Sequence, residues 1–469
     1  MKIILVVVLV MVVVAIGAGA VLLLQFDPND LKPSIEQTIG DAVGAKAQLG
    51  YISVRWGIDM QFEISGVELR DPKSDEILLK TGSATAGFNL RGLLNKEVSI
   101  PFFELHRPEI YIRKSRTGQW NWQPKQPGAE PGLSSAWVVF ISSVRVHEGK
   151  LHYQDESYQM PFVIQVDHIE FTMRQQSFGA PLRMNGSAGL FGSRQPNLNI
   201  DGVYDHAIGI LVFKAVYGPD KVVLEGEISN LASQPQFKGN LNVHQLDLES
   251  VTPAEMKDRE YLTGILTAKL EGSAEGTHPD MLKRTLAMQG AVDVRNGAFK
   301  NINFISRVLS QLTPIPGLGQ ILLERVPEEL TPVMQGEDTP FELLKANFQI
   351  LQSRAFLTGL QVKHEHYMME ADGSAGLLQQ DVDFRAKLVM LEYLSQFLLK
   401  KVKELAVVKN QQGRIVLPFV YRGLLPNATV QPDLNYLSRQ LFQERGQELV
   451  QVGLGKLAEL LGEPSGEAR

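Results

Sequence analysis

The sequence predicts a mostly β protein with peripheral helices (α+β), in which one N-terminal transmembrane helix precedes an elongated antiparallel β-sheet. Three observations carry this expectation. The chain opens on a long uncharged apolar run, its middle alternates apolar and polar residues with a period of two, and amphipathic stretches of helical period return only in the last third.

Taken in order, Ile3 to Leu24 is an unbroken run of Ile, Leu, Val, Met, Ala and Gly. At 1.5 Å per residue it makes a helix of about 33 Å, enough to cross a hydrocarbon core of about 30 Å. Lys2 precedes it and Asp27 and Asp30 follow, so the positive-inside rule predicts a single-pass anchor with a cytoplasmic N-terminus. A cleaved signal peptide is the alternative, since Ala18-Gly19-Ala20 fits a cleavage pattern. Val21 to Leu24 continues the apolar run past that site and favours the anchor.

After this segment (1–26), residues 27–122 read as an α/β module. Asp27 suits an N-cap, Pro28 the first helical position, and Leu31, Ile35, Ile39 and Val43 recur at helical spacing until Gly44. Short β-runs follow to Ile112, and Trp120-Asn121-Trp122 closes the module. The Pro/Gly/Gln-rich stretch 123–133 reads as a linker. Residues 134–300 give the most regular alternation, in runs bounded by Gly, Asn, Asp or Pro, and predict a β-meander with one apolar and one wet face. Leu198, Ile200 and Tyr204, then Phe237, Leu241 and Val243, then Leu266 and Leu270 fall on the apolar side. Residues 301–469 mix the two periods. Helices are predicted at 302–312 and 318–326, strands at 343–350, 355–362, 367–373, 381–390 and 415–425, and amphipathic helices at 393–406 and 433–461. The first of these two amphipathic helices sets Leu394, Phe397, Leu398, Val402 and Leu405 on one side, with Lys400, Lys401 and Lys403 elsewhere.

Composition excludes more chemistry than it selects. Without cysteine there is no disulfide scaffold, no Cys-ligated metal and no thiol nucleophile. A formal net charge of -6 argues against nucleic acid as a partner. No G-x-S-x-G, P-loop or H-E-x-x-H occurs, so no catalytic residue, cofactor or metal site is assigned and the chain is read as non-enzymatic. His364-Glu365-His366 is the one tight histidine pair, and on a strand both rings would share a face; no third ligand stands beside them. Trp120 and Trp122 fit either a membrane interface or, more often, packing at the end of a β-module.

Several segments, in their order and spacing, resemble the AsmA family of Gram-negative envelope proteins. The opening Phe26-Asp27-Pro28-Asn29-Asp30-Leu31-Lys32 is one, followed by Ile64-Ser65-Gly66-Val67-Glu68-Leu69 with Asp71-Pro72. Leu105 to Ile112, Gly118 to Trp122, and the late Val416-Leu417-Pro418-Phe419-Val420 leading into Arg422 to Ala428 are others. AsmA-like proteins are similar to bridge-like lipid-transfer proteins, whose long sheet curls into an open hydrophobic groove, and no catalytic motif comes with the likeness.

Alternation alone leaves two architectures open: a sandwich, in which two apolar faces bury one another, and an open trough. The resemblance favours the trough. It implies an inner-membrane protein with the bulk of its chain in the periplasm, holding phospholipids or other acyl lipids against the groove residues named above. Lipid transport and outer-membrane homeostasis would follow. The Tyr393–Ala406 helix, with Phe397, Leu398, Lys400 and Lys401, would then meet anionic lipid or plug the groove end. The alternative is a non-transporting factor that assists outer-membrane protein biogenesis through contacts with envelope proteins.

Overall fold

The computed structural model describes residues 27–433 except 56–58, 90–96, 122–137, 158–161, 232, 254–256, 259, 311–327, 402 and 426. The apolar run, the linker 123–133, Trp122, the helix expected at 318–326 and the segment beyond Asp433 lie outside the described residues. Among the described residues no helix is long and apolar enough to cross a membrane. The fold is mostly β, and the chain divides into two compact units, Met1–Asp220 and Lys221–Arg469.

The first unit begins as the sequence suggests. Asp27 caps a short 3-10 turn, Pro28–Leu31, by accepting from the Asn29 backbone N–H at 2.9 Å. Helix α1 (Lys32–Val43) follows and ends at Gly44, whose φ of 72° lets its N–H reach the Gly40 carbonyl. Asn29 clamps this turn to the sheet, donating to the Ile52 carbonyl and accepting from the Ile52 N–H. Ile35 and Ile39 press onto strands β1 (Lys46–Leu49), β2 (Ile52–Arg55), β3 (Asp59–Ile64), β4 (Val67–Arg70), β5 (Ile77–Thr81) and β6 (Ser83–Asn89). Phe62, Phe88 and Phe103 are at most 1% exposed in this core, with Phe62 and Phe88 edge to face at 5.1 Å.

Strands β7 (Glu97–Ile100), β8 (Phe103–His106), β9 (Glu109–Lys114) and β10 (Val138–Ile141) lead to the long β11 (Ser143–Asp155). Here the structure departs from a pure antiparallel meander. β10 pairs with β7 in parallel, and β11 runs parallel to β8 through its first half and to β9 through its second. The break between β8 and β9 explains the double partner. Arg107, with φ of 53°, bends the chain there, and Glu148 and His168 on the neighbouring strands hold the same left-handed conformation. Register shifts at Gly149 and between Asp167 and Glu170 accompany them, so bulges bend the sheet along one line. From β11 the order is the expected antiparallel meander: β12 (Phe162–Arg174), β13 (Leu182–Leu190), β14 (Leu198–Asp205) and β15 (Ile210–Tyr217).

The second unit is one antiparallel sheet. β16 (Val222–Ser229) pairs with β17 (Gln236–Asp247), which pairs with β19 (Ile265–Glu275); the two-residue β18 (Tyr261–Leu262) lies beside β20 (Ala287–Lys300). β20 to β26 then add in sequence order: β21 (Thr339–Leu351), β22 (Arg354–Lys363), β23 (Tyr367–Gly376), β24 (Asp381–Met390), β25 (Val416–Leu424) and β26 (Thr429–Pro432). Among the described residues it also carries helices α2 (Leu248–Val251), α3 (Pro279–Thr285), α4 (Phe304–Ser310), α5 (Thr331–Met334) and α6 (Glu392–Lys401).

These helices cover the apolar face unevenly. Ile305 and Val308 of α4, Val333 and Met334 of α5, and Leu394 and Leu398 of α6 form one core with Val294, Leu344, Val362, Met369, Leu388 and Leu417. A buried clamp locks α6 in place: Ser395 Oγ donates to the Met390 carbonyl and accepts from the Ile415 N–H. The amphipathic helix read from 393–406 is thus α6 plus a 3-10 turn, Lys403–Val408, with its apolar side inside the unit.

Candidate functional site

Cross-strand register sorts the apolar face of the second unit into rows. One row runs Leu246, Leu266, Val294, Leu344, Val362, Met369, Leu388, Leu417, each opposite the next. From Val294 onward every member is less than 7% exposed, under the helices. A parallel row runs Leu224, Leu241, Leu270, Gly290, Phe348, Leu357, Gly373, Phe384, Tyr421. None of these is fully buried. The described helices belong to the first row and touch the second at its end, where Phe304 of α4 meets Tyr421 edge-on at 6.0 Å; from Leu224 to Phe384 the second row keeps an open apolar surface.

Glycine and phenylalanine face one another repeatedly on the apolar faces of both units. A Cβ at Gly373 would lie 2.5 Å from the Phe384 ring, one at Gly297 2.7 Å from Phe341, and one at Gly186 of the first unit 3.1 Å from Phe171. In each pair the ring, with a still closer backbone carbonyl (of Asp383, Thr263 and Glu170 respectively), occupies the space a side chain on the glycine would take. Apolar area is kept while the surface stays low.

The first unit carries its own apolar rows. Phe103, Val144, Met173, Met184, Gly202 and Phe213 oppose one another in turn, as do Leu105, Val146, Phe171, Gly186, Ile200 and Ala215. Burial falls along them, from Phe103 at 0% to Ile200 at 39% exposed, because α1 and the N-terminal strands reach only the first members. Burial also pushes the hydroxyl pKa of Tyr217, and of Tyr421 in the second unit, above the ordinary phenol value. Both therefore stay neutral, and these faces carry no charge at physiological pH.

The sequence-predicted residues are placed as follows. Leu198, Ile200 and Tyr204 share one side of β14, opposite Tyr217, Ala215 and Leu211. Tyr204 also meets His206 edge-on at 4.8 Å. Leu241 and Leu270 are direct partners; Val243 opposes Ala268 and is buried; Phe237 opposes Ala274; Leu266 belongs to the covered row. Met184, Phe213, Leu224, Phe348, Leu357 and Phe384 stand on the same faces, beyond the residues that the sequence alone points to. Their alternation was readable, but the register that aligns them was not. Leu398 is fully buried and Phe397 packs against the core, while Lys400 and Lys401 stay exposed.

The histidine pair is not on a strand. His364 to His366 form the turn between β22 and β23, closed by mutual hydrogen bonds between the His364 and Tyr367 backbones. His366 is 9% exposed beside Tyr393 of α6, its Nε2 lying 3.0 Å from Glu365, and His364 stacks on Tyr367 at 4.9 Å. Burial first, then the His366 charge, lowers the His364 pKa. Among the described residues no three His, Asp or Glu side chains gather as a metal would need. Trp120 bridges back to Lys114, whose ammonium lies 5.5 Å over its ring, and leans on Tyr153.

The chemistry on offer is therefore apolar contact along open sheet faces. No curated protein and no solved structure gives a significant match to this chain. The model of the AsmA family matches residues 1–184, the segment that contains the opening helix and most of the described N-terminal motifs. Over residues 1–184, then, the chain is similar to the AsmA family.

Proposed function

We propose that this chain is a lipid-binding and lipid-transfer protein of the Gram-negative envelope, anchored in the inner membrane with its sheets in the periplasm. The observation that carries the reading is the open row from Leu224 to Phe384, an apolar face left uncovered beside one that is sealed. Surface of that kind normally marks an interaction site. Acyl chains suit it: each methylene removed from water gains about 0.8 kcal/mol, so a single fatty tail gains on the order of 10 kcal/mol. Headgroups stay in water at the strand ends. On this reading the apolar faces form a groove, phospholipids or other acyl lipids are the cargo, and the chain is a carrier rather than an enzyme.

Native mass spectrometry of the periplasmic portion purified without detergent tests the proposal, together with photo-crosslinking side chains at Leu241 and Ile200. Phospholipid should co-purify and both positions should capture it. A chain that is repeatedly empty, with neither position capturing lipid, overturns lipid carriage and leaves the reading as an assembly factor that works through protein contacts. Sequencing of the mature N-terminus tests the anchor, since a start at Val21 is incompatible with retention.

A further inference from the structure

The opposite, wet face of the second unit holds a feature that lipid carriage does not use. Here too the register makes straight rows. Glu225, Asn240, Glu271, Gln289, Gln349 and Phe356 oppose one another in turn, and beside them run Asn242, Lys269, Ala291, Asn347 and Thr358. Along the rows runs an open depression of about 740 Å³ lined by these residues, with a second of about 430 Å³ beyond Asn240, Glu271 and Gln349. Six adjacent strands at about 4.8 Å spacing make the track about 24 Å long.

Its composition is unusual for a sheet. Asn is depleted in strands, yet Asn240, Asn242 and Asn347 sit on central ones. Their amides, and that of Gln349, have no side-chain hydrogen bond to other described residues; Gln289 donates to Glu271. Phe356 stands 41% exposed at the end of this polar row, and Leu351 is 42% exposed at its margin. Local rules broken together, without a structural return, point to a binding site.

We propose that this track binds a neutral glycan chain. Each free amide both donates and accepts, as a sugar hydroxyl or acetamido group does. An exposed ring beside them offers a platform for the C–H face of a pyranose. Charge is balanced, with Glu225 and Glu271 against Lys269 and Lys238, which does not suit a polyanion. A peptide recognised by strand addition needs a free sheet edge, whereas the central strands here are paired on both sides.

Calorimetric titration of the full chain, held in a detergent without a sugar headgroup, tests this with two probes: the tetramer of N-acetylglucosamine and the tetramer of glucose. At least one should bind, and which one identifies an amino-sugar or a glucan ligand. Phe356→Ala should weaken binding about tenfold, the loss expected of one aromatic platform, and Asn240→Ala and Gln349→Ala should weaken it severalfold. All three side chains are exposed, so unchanged circular dichroism should accompany the loss. Leu241→Asp, on the other face, should leave sugar binding intact. Failure of both tetramers to bind, or binding indifferent to Phe356→Ala and Asn240→Ala, overturns the proposal; so does displacement of the sugar by an extended peptide that binds more tightly.

Discussion

Replacing Leu241 by Asp sets a carboxylate between Leu224 and Leu270 in the open row. Full burial of a leucine is worth about 1.5–3 kcal/mol, and Leu241 is only half-buried, so its own lost contacts amount to about 1 kcal/mol. The new charge keeps water on its uncovered side and is spared most of the desolvation cost. A fall in stability of about 1–2 kcal/mol follows. Leu398→Asp is the control, because Leu398 of α6 is 0% exposed in the core beneath the helices. Loss of its packing and burial of an unpaired charge should cost about 5 kcal/mol or more, comparable with the whole stability of many domains. Urea unfolding followed by circular dichroism measures both, and transfer of labelled phospholipid between vesicles reads function. Leu241→Asp should fold and carry little lipid, whereas Leu398→Asp should not fold. If Leu241→Asp unfolds as readily as Leu398→Asp, the face is packed as in a sandwich and the groove is wrong. If it folds and transfers lipid at the normal rate, the cargo lies elsewhere.

Gly373→Val would meet the Asp383 carbonyl and the Phe384 backbone as well as the Phe384 ring and should cost about 1–3 kcal/mol, seen as a lower melting temperature; an unchanged value would show that the facing strand gives way without cost. Gly44→Ala places a side chain at φ 72° and should cost about 1 kcal/mol by the same measure. Glu109 is held below the ordinary carboxylate pKa by the Tyr111 hydroxyl and then by the Lys80 ammonium, 2.9 Å away. Its contribution is therefore present above the unfolded value, near 4.5, and is lost as pH falls through the lower folded value. Melting curves of the native chain and of Glu109→Gln should converge between about pH 5 and 3; a gap that stays constant over that range would exclude the linkage.

Local signals in the sequence translated closely into structure. The Asp27-Pro28 start and Gly44 stop bracket the opening 3-10 turn and α1, and the strand expected at 381–390 is β24 to the residue. What alternation cannot encode is which residue lies opposite. The parallel pairing of β11 with β8 and β9 joins segments about 40 residues apart, and no local pattern specifies it. The Gly373–Phe384 and Gly186–Phe171 pairs are likewise invisible until register is known. His364 and His366 misled for a related reason: the alternation around them continues through a tight turn, where two residues of separation no longer mean one face. The amide track was hidden in plain view, because Asn240 and Asn242 read as ordinary wet-face residues until Gln289, Asn347 and Gln349 came alongside.

The glycine–aromatic pairs also bear on how a lipid would move. A groove lined by projecting side chains of different size presents pockets, and each pocket is a trap whose depth grows with the methylenes it encloses. Along the open row, Gly290 and Gly373 alternate with Phe348 and Phe384; a side chain on Gly373 would meet the Phe384 ring, and one on Gly290 would meet Leu270. Filling the glycine positions in this way evens out the surface from strand to strand, so on the groove reading an acyl chain displaced by one strand would lose and regain similar contacts. The barrier to such a step is set by the contacts broken in transit, not by the tens of methylene contacts made in all. Replacing one of these glycines by a bulky residue would therefore do more than destabilise the sheet: it would interrupt a smooth surface, slowing transfer without lowering the amount of lipid bound. Measured together, transfer rate and lipid content separate that effect from simple loss of binding, and a proportional fall in both would argue against a sliding path.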